Sequence, residues 1–141
     1  MSDDPAPPPS SPAPASTPCR SSGLIASFGH AFCGLGYFFR TQRNGWIHAV
    51  CAVAALALAA WLGISRTEWA ALVLAIAGVI ALEGMNTALE TVVDLASPQI
   101  HPLAKIAKDV SAGMVLLAAI AAVAIGLIIL GPPLWGRVIG S

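Results

Sequence analysis

The sequence predicts an all-α membrane protein, with an N-terminal amphipathic interfacial helix followed by three transmembrane helices. Three observations predict it. Of 141 residues, 57% are hydrophobic and only 10% are charged, whereas a soluble domain carries charge on about a quarter of its residues. Three apolar runs, 46–64, 69–94 and 102–130, each approach or exceed the roughly 20 residues that cross a hydrocarbon core. Ahead of them, 23–43 repeats its apolar residues at helical spacing.

Composition also excludes function classes. Seven Lys and Arg balance seven Asp and Glu, and with no basic patch of any size nucleic acid is excluded as a partner. Cys19, Cys33 and Cys51 form no C-x-x-C pair, so neither a disulfide framework nor a zinc site is expected.

Residues 1–22 are rich in Pro, Ser and Ala with no apolar periodicity, and such a segment buries too little surface to offset the entropy of ordering. A disordered tail is expected. It lacks the basic start and apolar core of a secretory signal. From 23 to 43, Leu24, Ile25, Phe28, Phe32, Leu35, Phe38 and Phe39 recur on one face and Arg40 and Arg43 close the segment. That pattern suits a helix lying in the membrane interface, or a short helix packed on the spans. His30 falls on it as an interfacial side chain.

The first span, 46–64, contains no charged residue and carries Trp46 and Trp61 near its ends, where indole rings anchor at headgroup level. His48 is assigned to the same headgroup level, without a functional role. The link that follows is short enough for only a tight turn, with Ser65 or Thr67 available to cap the next helix.

The second span, 69–94, would be about 39 Å long at 1.5 Å per residue, more than the roughly 30 Å core. Its last turns must therefore reach the headgroups and water. At about 100° per residue, Glu83, Glu90 and Asp94 fall within roughly 40° of one another, with Asn86 and Thr87 flanking them. An ionised group in hydrocarbon costs several kcal/mol, so this stripe must face protein, water or a bound cation. It is the candidate functional site, with Glu83 deepest and Glu90 and Asp94 nearer the water. Ser97-Pro98 ends the helix.

His101-Pro102 restarts a helix, with Lys105, Lys108 and Asp109 at its aqueous beginning and no charge from Val110 to Leu130. Small residues such as Ala112, Gly113 and Ala118 allow close helix approach. Pro132-Pro133 is expected to stop this third span, leaving Trp135 and Arg137 at the far interface. Arg20, Arg40, Arg43, Lys105 and Lys108 fall on one side, against Arg66 and Arg137 on the other. The excess places the N-terminus in the cytoplasm, on the side where the acidic stripe emerges.

Carboxylates and lysines at a membrane boundary suit Mg²⁺ bridging nucleotide phosphates, because that ion takes one or two protein carboxylates and fills its shell with phosphate and water. Glu83 could then accept a proton from a lipid hydroxyl. The same stripe would equally serve a proton or cation site in a small oligomeric transporter, which needs neither Lys105 nor Lys108. Carboxylates and lysines merely pairing between helices is an expensive alternative inside a membrane. No G-x-x-x-x-G-K-[ST] loop is present, and Gly34-x-Gly36 lacks the rest of a nucleotide fingerprint.

The run Glu83-Gly-Met-Asn-Thr-Ala-Leu-Glu-Thr-Val-Val-Asp94, followed by Ala107-Lys-Asp-Val-Ser-Ala112, resembles the signature of the small prokaryotic diacylglycerol kinase and undecaprenol kinase family. The similarity extends from about Phe28 to Leu130. It implies a lipid kinase domain over 23–141, assembled as a homotrimer in the bacterial cytoplasmic membrane, that moves the γ-phosphate of ATP to a lipid alcohol with Mg²⁺. By resemblance Glu83 is the base and Asn86 positions base and substrate, while Glu90 binds metal and Asp94, Lys108 and Asp109 contact the nucleotide. Gln42 stands where the family has a further metal-binding glutamate, so weaker Mg²⁺ binding is expected. A catalytically lapsed homologue is the alternative that this departure leaves open. The segment 97–109 is similar to the undecaprenol kinase branch, which favours undecaprenol over diacylglycerol.

Overall fold

The computed structural model describes residues 23–97, 99 and 101–139, and the tail expected over 1–22 lies outside them. Four helices follow in order: α1 (Leu24–Thr41), α2 (Arg43–Leu62), α3 (Arg66–Ala96) and α4 (Pro102–Ile139). The last three are long and apolar enough to cross a membrane. Large apolar side chains on α1, among them Leu24, Ile25, Phe28 and Phe32, are exposed, as contact with an interface requires.

Gln42, with extended backbone at φ −104° and ψ 105°, separates α1 from α2. The joint is held by aromatic packing rather than by the break itself. Gly45, in the first turn of α2, lies against the buried Phe38 ring so closely that a Cβ there would come within 2.7 Å of Phe38 Cζ. Trp46 Nε1–H donates to the Phe39 carbonyl at 2.6 Å, which satisfies one of the acceptors that a helix end leaves open.

At the opposite end Gly63 adopts φ 71°, a left-handed conformation that glycine takes without steric cost. Ser65 then opens α3 with a capping box: its hydroxyl accepts from Glu68 N–H at 3.3 Å, while Glu68 Oε2 accepts from Ser65 N–H at 2.7 Å. Next to this turn Ala59, Leu62, Leu72, Ile129 and Leu130 form the buried cluster. The core thus sits where α2 ends and α3 begins, and Glu83, Glu90 and Asp94 of α3 lie toward its other end.

The expected stop at Pro132-Pro133 is wrong. The helix α4 runs through both prolines to Ile139, although an interior proline removes a hydrogen bond and costs about 3 kcal/mol. Contacts beyond the prolines offset that cost. Leu134 packs on the buried cluster, Arg137 Nη1–H donates to the Trp61 carbonyl at 3.1 Å, and the guanidinium lies 5.1 Å from the Trp61 ring centre. The other boundaries differ by a few residues, with α2 starting at Arg43 and α3 extending from Arg66 to Ala96.

Candidate active site

The middle and end of α3 carry the site, and α2 and α4 complete it from either side. Glu83 is 4% exposed. Its Oε1 lies 3.2 Å from His48 Nε2 on α2, within the reach at which a proton passes between heavy atoms. Thr87, one turn on, is also buried and donates its hydroxyl to the Glu83 carbonyl at 3.0 Å, and Thr91 repeats this to Thr87 at 2.8 Å. Those two hydroxyls are therefore engaged by their own helix and add no donor to the Glu83 carboxylate.

Asn86 Nδ2–H donates to Glu90 Oε1 at 3.0 Å, fixing the orientation of that carboxylate. Asn86 Oδ1 is buried with no hydrogen-bond partner. An orphaned acceptor of this kind costs about 1–3 kcal/mol, so it marks a place where a donor or cation would be favourable. Nearer the end of α3, Asp94 Oδ1 accepts from Lys108 Nζ of α4 at 2.5 Å, and Lys105 pairs with Asp109 one turn apart. Asp94, Lys105, Lys108 and Asp109 line one recess of about 250 Å³ at the α3–α4 turn. It is polar and opens beside the last turn of α3.

A second cavity, of about 320 Å³, lies between α2, α3 and α4. His48 and Cys51 are its polar lining residues, and the rest, such as Ala55, Ile76, Val79 and Val123, are apolar. His48 therefore stands between the Glu83 carboxylate and an apolar groove.

The residues singled out from sequence separate into four places. Asp94, Lys108 and Asp109 share the polar recess, and Asn86 and Glu90 are bonded to each other. Glu83 pairs across to α2. Gln42 sits at the α1–α2 break, and its side chain caps neither helix. Among the described residues no three His, Cys, Asp or Glu side chains converge as a metal cluster. The residue that sequence reasoning passed over is His48. The signal was present, since an ionisable side chain inside an otherwise uncharged span is a functional candidate by default.

The profile of the family described as prokaryotic diacylglycerol kinase matches residues 29–130. The chain belongs to the prokaryotic diacylglycerol kinase family. The family is one of lipid kinases, and three relatives fall within it. A protein of Synechocystis sp. named diacylglycerol kinase is 51% identical over 112 residues, 79% of this chain, and the chain spans 64% of that protein's length. The undecaprenol kinase of Bacillus subtilis is 44% identical over 111 residues, covering 79% of this chain and 90% of that one. The diacylglycerol kinase of Escherichia coli is 32% identical over 95 residues, 62% of this chain and 78% of that one. All the site residues named above, from Gln42 to Asp109, lie inside the segment that the family profile matches.

Proposed function

We propose that this chain phosphorylates a membrane lipid alcohol with ATP at the cytoplasmic face, with undecaprenol the favoured acceptor and diacylglycerol the next. The observation that carries the reading is the position of Glu83: a nearly buried carboxylate 3.2 Å from His48, which lines the apolar groove, and on the same helix as Asp94, which lines the polar recess with Lys108. A lipid whose chain occupies the groove presents its hydroxyl at the His48 end, and a nucleotide in the recess meets Lys108.

Glu83 takes the hydroxyl proton as the lipid oxygen attacks the γ-phosphorus. Asn86 holds Glu90 by its amide, and Lys108 faces the phosphates as a point charge. Phosphoryl transfer asks little covalent chemistry of a protein, so positioning and charge carry the catalysis. The donors suit Mg²⁺: Glu90, the free Asn86 Oδ1 and Gln42 from the α1–α2 break are oxygen ligands of the hard type that the ion prefers, few enough to leave places for phosphate and water. When bound, the ion neutralises charge on the transferring phosphoryl group.

The protein works as a homotrimer in the bacterial cytoplasmic membrane with its N-terminus in the cytoplasm. Support comes from the large apolar residues left exposed on all four helices, such as Val53, Leu74, Leu116 and Ile128, and from the side on which most cations fall. Purified protein in detergent with ATP, Mg²⁺ and either undecaprenol or diacylglycerol tests the reading through lipid phosphate. Formation of lipid phosphate from one or both is expected. Cation flux in liposomes without nucleotide, and no lipid phosphate, would instead make the stripe a transport site.

A further inference from the structure

Glu83 is well placed to receive a proton and badly placed to lose one. Its side chain is 5% exposed, and the hydroxyls of Thr87 and Thr91 are committed to backbone carbonyls. Asn86 is committed to Glu90. Among the described residues, the side chain that reaches the Glu83 carboxylate is His48, with Nε2 at 3.2 Å from Oε1. The histidine side chain is 25% exposed and lies two residues beyond Trp46, at the interfacial end of α2. Around it, Cys51 lines the same groove from α2, while the α4 wall formed by Ala119, Ala122 and Val123 carries no titratable group.

We propose that His48 clears the proton from Glu83 after each transfer and passes it to water. The proposal rests on the lipid kinase reading. In the transfer itself the lipid O–H bond breaks, its oxygen bonds to the γ-phosphorus, and the bond between that phosphorus and the bridging oxygen breaks, leaving the electron pair on ADP. The hydroxyl proton resides on Glu83. It then moves to the lone pair of Nε2 in a neutral imidazole protonated at Nδ1, and the imidazolium releases its Nδ1 proton to water. Glu83 is again a carboxylate, and exchange with water restores the starting tautomer of His48. Histidine suits the task because it takes up and gives back a proton near neutral pH. His48 acts through Glu83 and touches no reacting atom, so it is a positioning residue.

The test uses full-length protein carrying His48→Gln or His48→Ala, assayed with ATP, Mg²⁺ and whichever lipid alcohol the unaltered protein phosphorylates. Glutamine keeps a hydrogen-bond donor but cannot carry a proton. Both substitutions are expected to lower kcat about 100-fold, the lower end of the acid–base range, with the KM for ATP unchanged. Added imidazole is expected to restore His48→Ala about tenfold and to leave His48→Gln as it was. A kcat for His48→Gln within about threefold of the unaltered protein overturns the proposal, and that variant decides alone if melting in detergent shows His48→Ala unfolded. A folded His48→Ala that imidazole does not revive overturns it too. The two readings fail differently: an unaltered protein that phosphorylates neither lipid removes the kinase reading, whereas activity lost in Glu83→Gln but kept in His48→Gln removes only the role of His48.

Discussion

Replacing Lys108 by methionine removes the α4 charge that meets Asp94 on α3 at 2.5 Å, while keeping most of the aliphatic stem. The Asp94 and Lys108 side chains are 67% and 35% exposed, so their attraction is screened and contributes about 0–1 kcal/mol to folding. A charged hydrogen bond to a phosphate contributes more, about 1.5–3 kcal/mol, which at 1.4 kcal/mol per tenfold is about a 10- to 100-fold change in affinity. Lys108→Met is therefore expected to raise the KM for ATP by about 10- to 100-fold with unfolding in detergent changed by no more than about 1 kcal/mol. Steady-state kinetics at varied ATP and a denaturation curve on the same preparation measure the two quantities together. A stability loss above about 2 kcal/mol with an unchanged KM would make the pair a structural lock between α3 and α4 and take Lys108 out of the nucleotide site.

Three further outcomes are expected. Glu83→Gln, which keeps the shape but cannot accept a proton, should lower kcat by about 10²- to 10⁴-fold while nucleotide still binds, as read by ATP-dependent protection from thermal unfolding. Gln42→Glu should lower the Mg²⁺ concentration giving half-maximal activity, and an unchanged titration would remove this position from the metal shell. Gly45→Ala should loosen the α1–α2 joint: overpacking against Phe38 costs about 1–3 kcal/mol, only partly offset by the roughly 1 kcal/mol that alanine gains over glycine in a helix, and faster amide exchange in α1 would report it.

Much of this architecture is legible without coordinates because it depends on local pattern. A span is visible as length and apolarity, and three helices long and apolar enough to cross a membrane are present, the last running past its expected end to Ile139. The turn at Ser65 is written in the residue types that cap helices, and the structure realises both hydrogen bonds of the box. The acidic stripe follows from the 3.6-residue repeat alone, since Glu83, Glu90 and Asp94 share a face in any helix. Pro132-Pro133 shows the limit of such reasoning, because local chemistry favours a stop there and the contacts of Leu134 and Arg137 override it.

By itself the sequence determined the family, the helices and which residues of α3 share a face, since each of these is set by residue type and spacing along one helix. Only the tertiary structure decided that Glu83 turns to His48 of α2 while Asp94 turns to Lys108 of α4. The reason is geometric: which side chains meet across two helices depends on their rotation and crossing, quantities that the packing of whole helices sets and no single repeat contains.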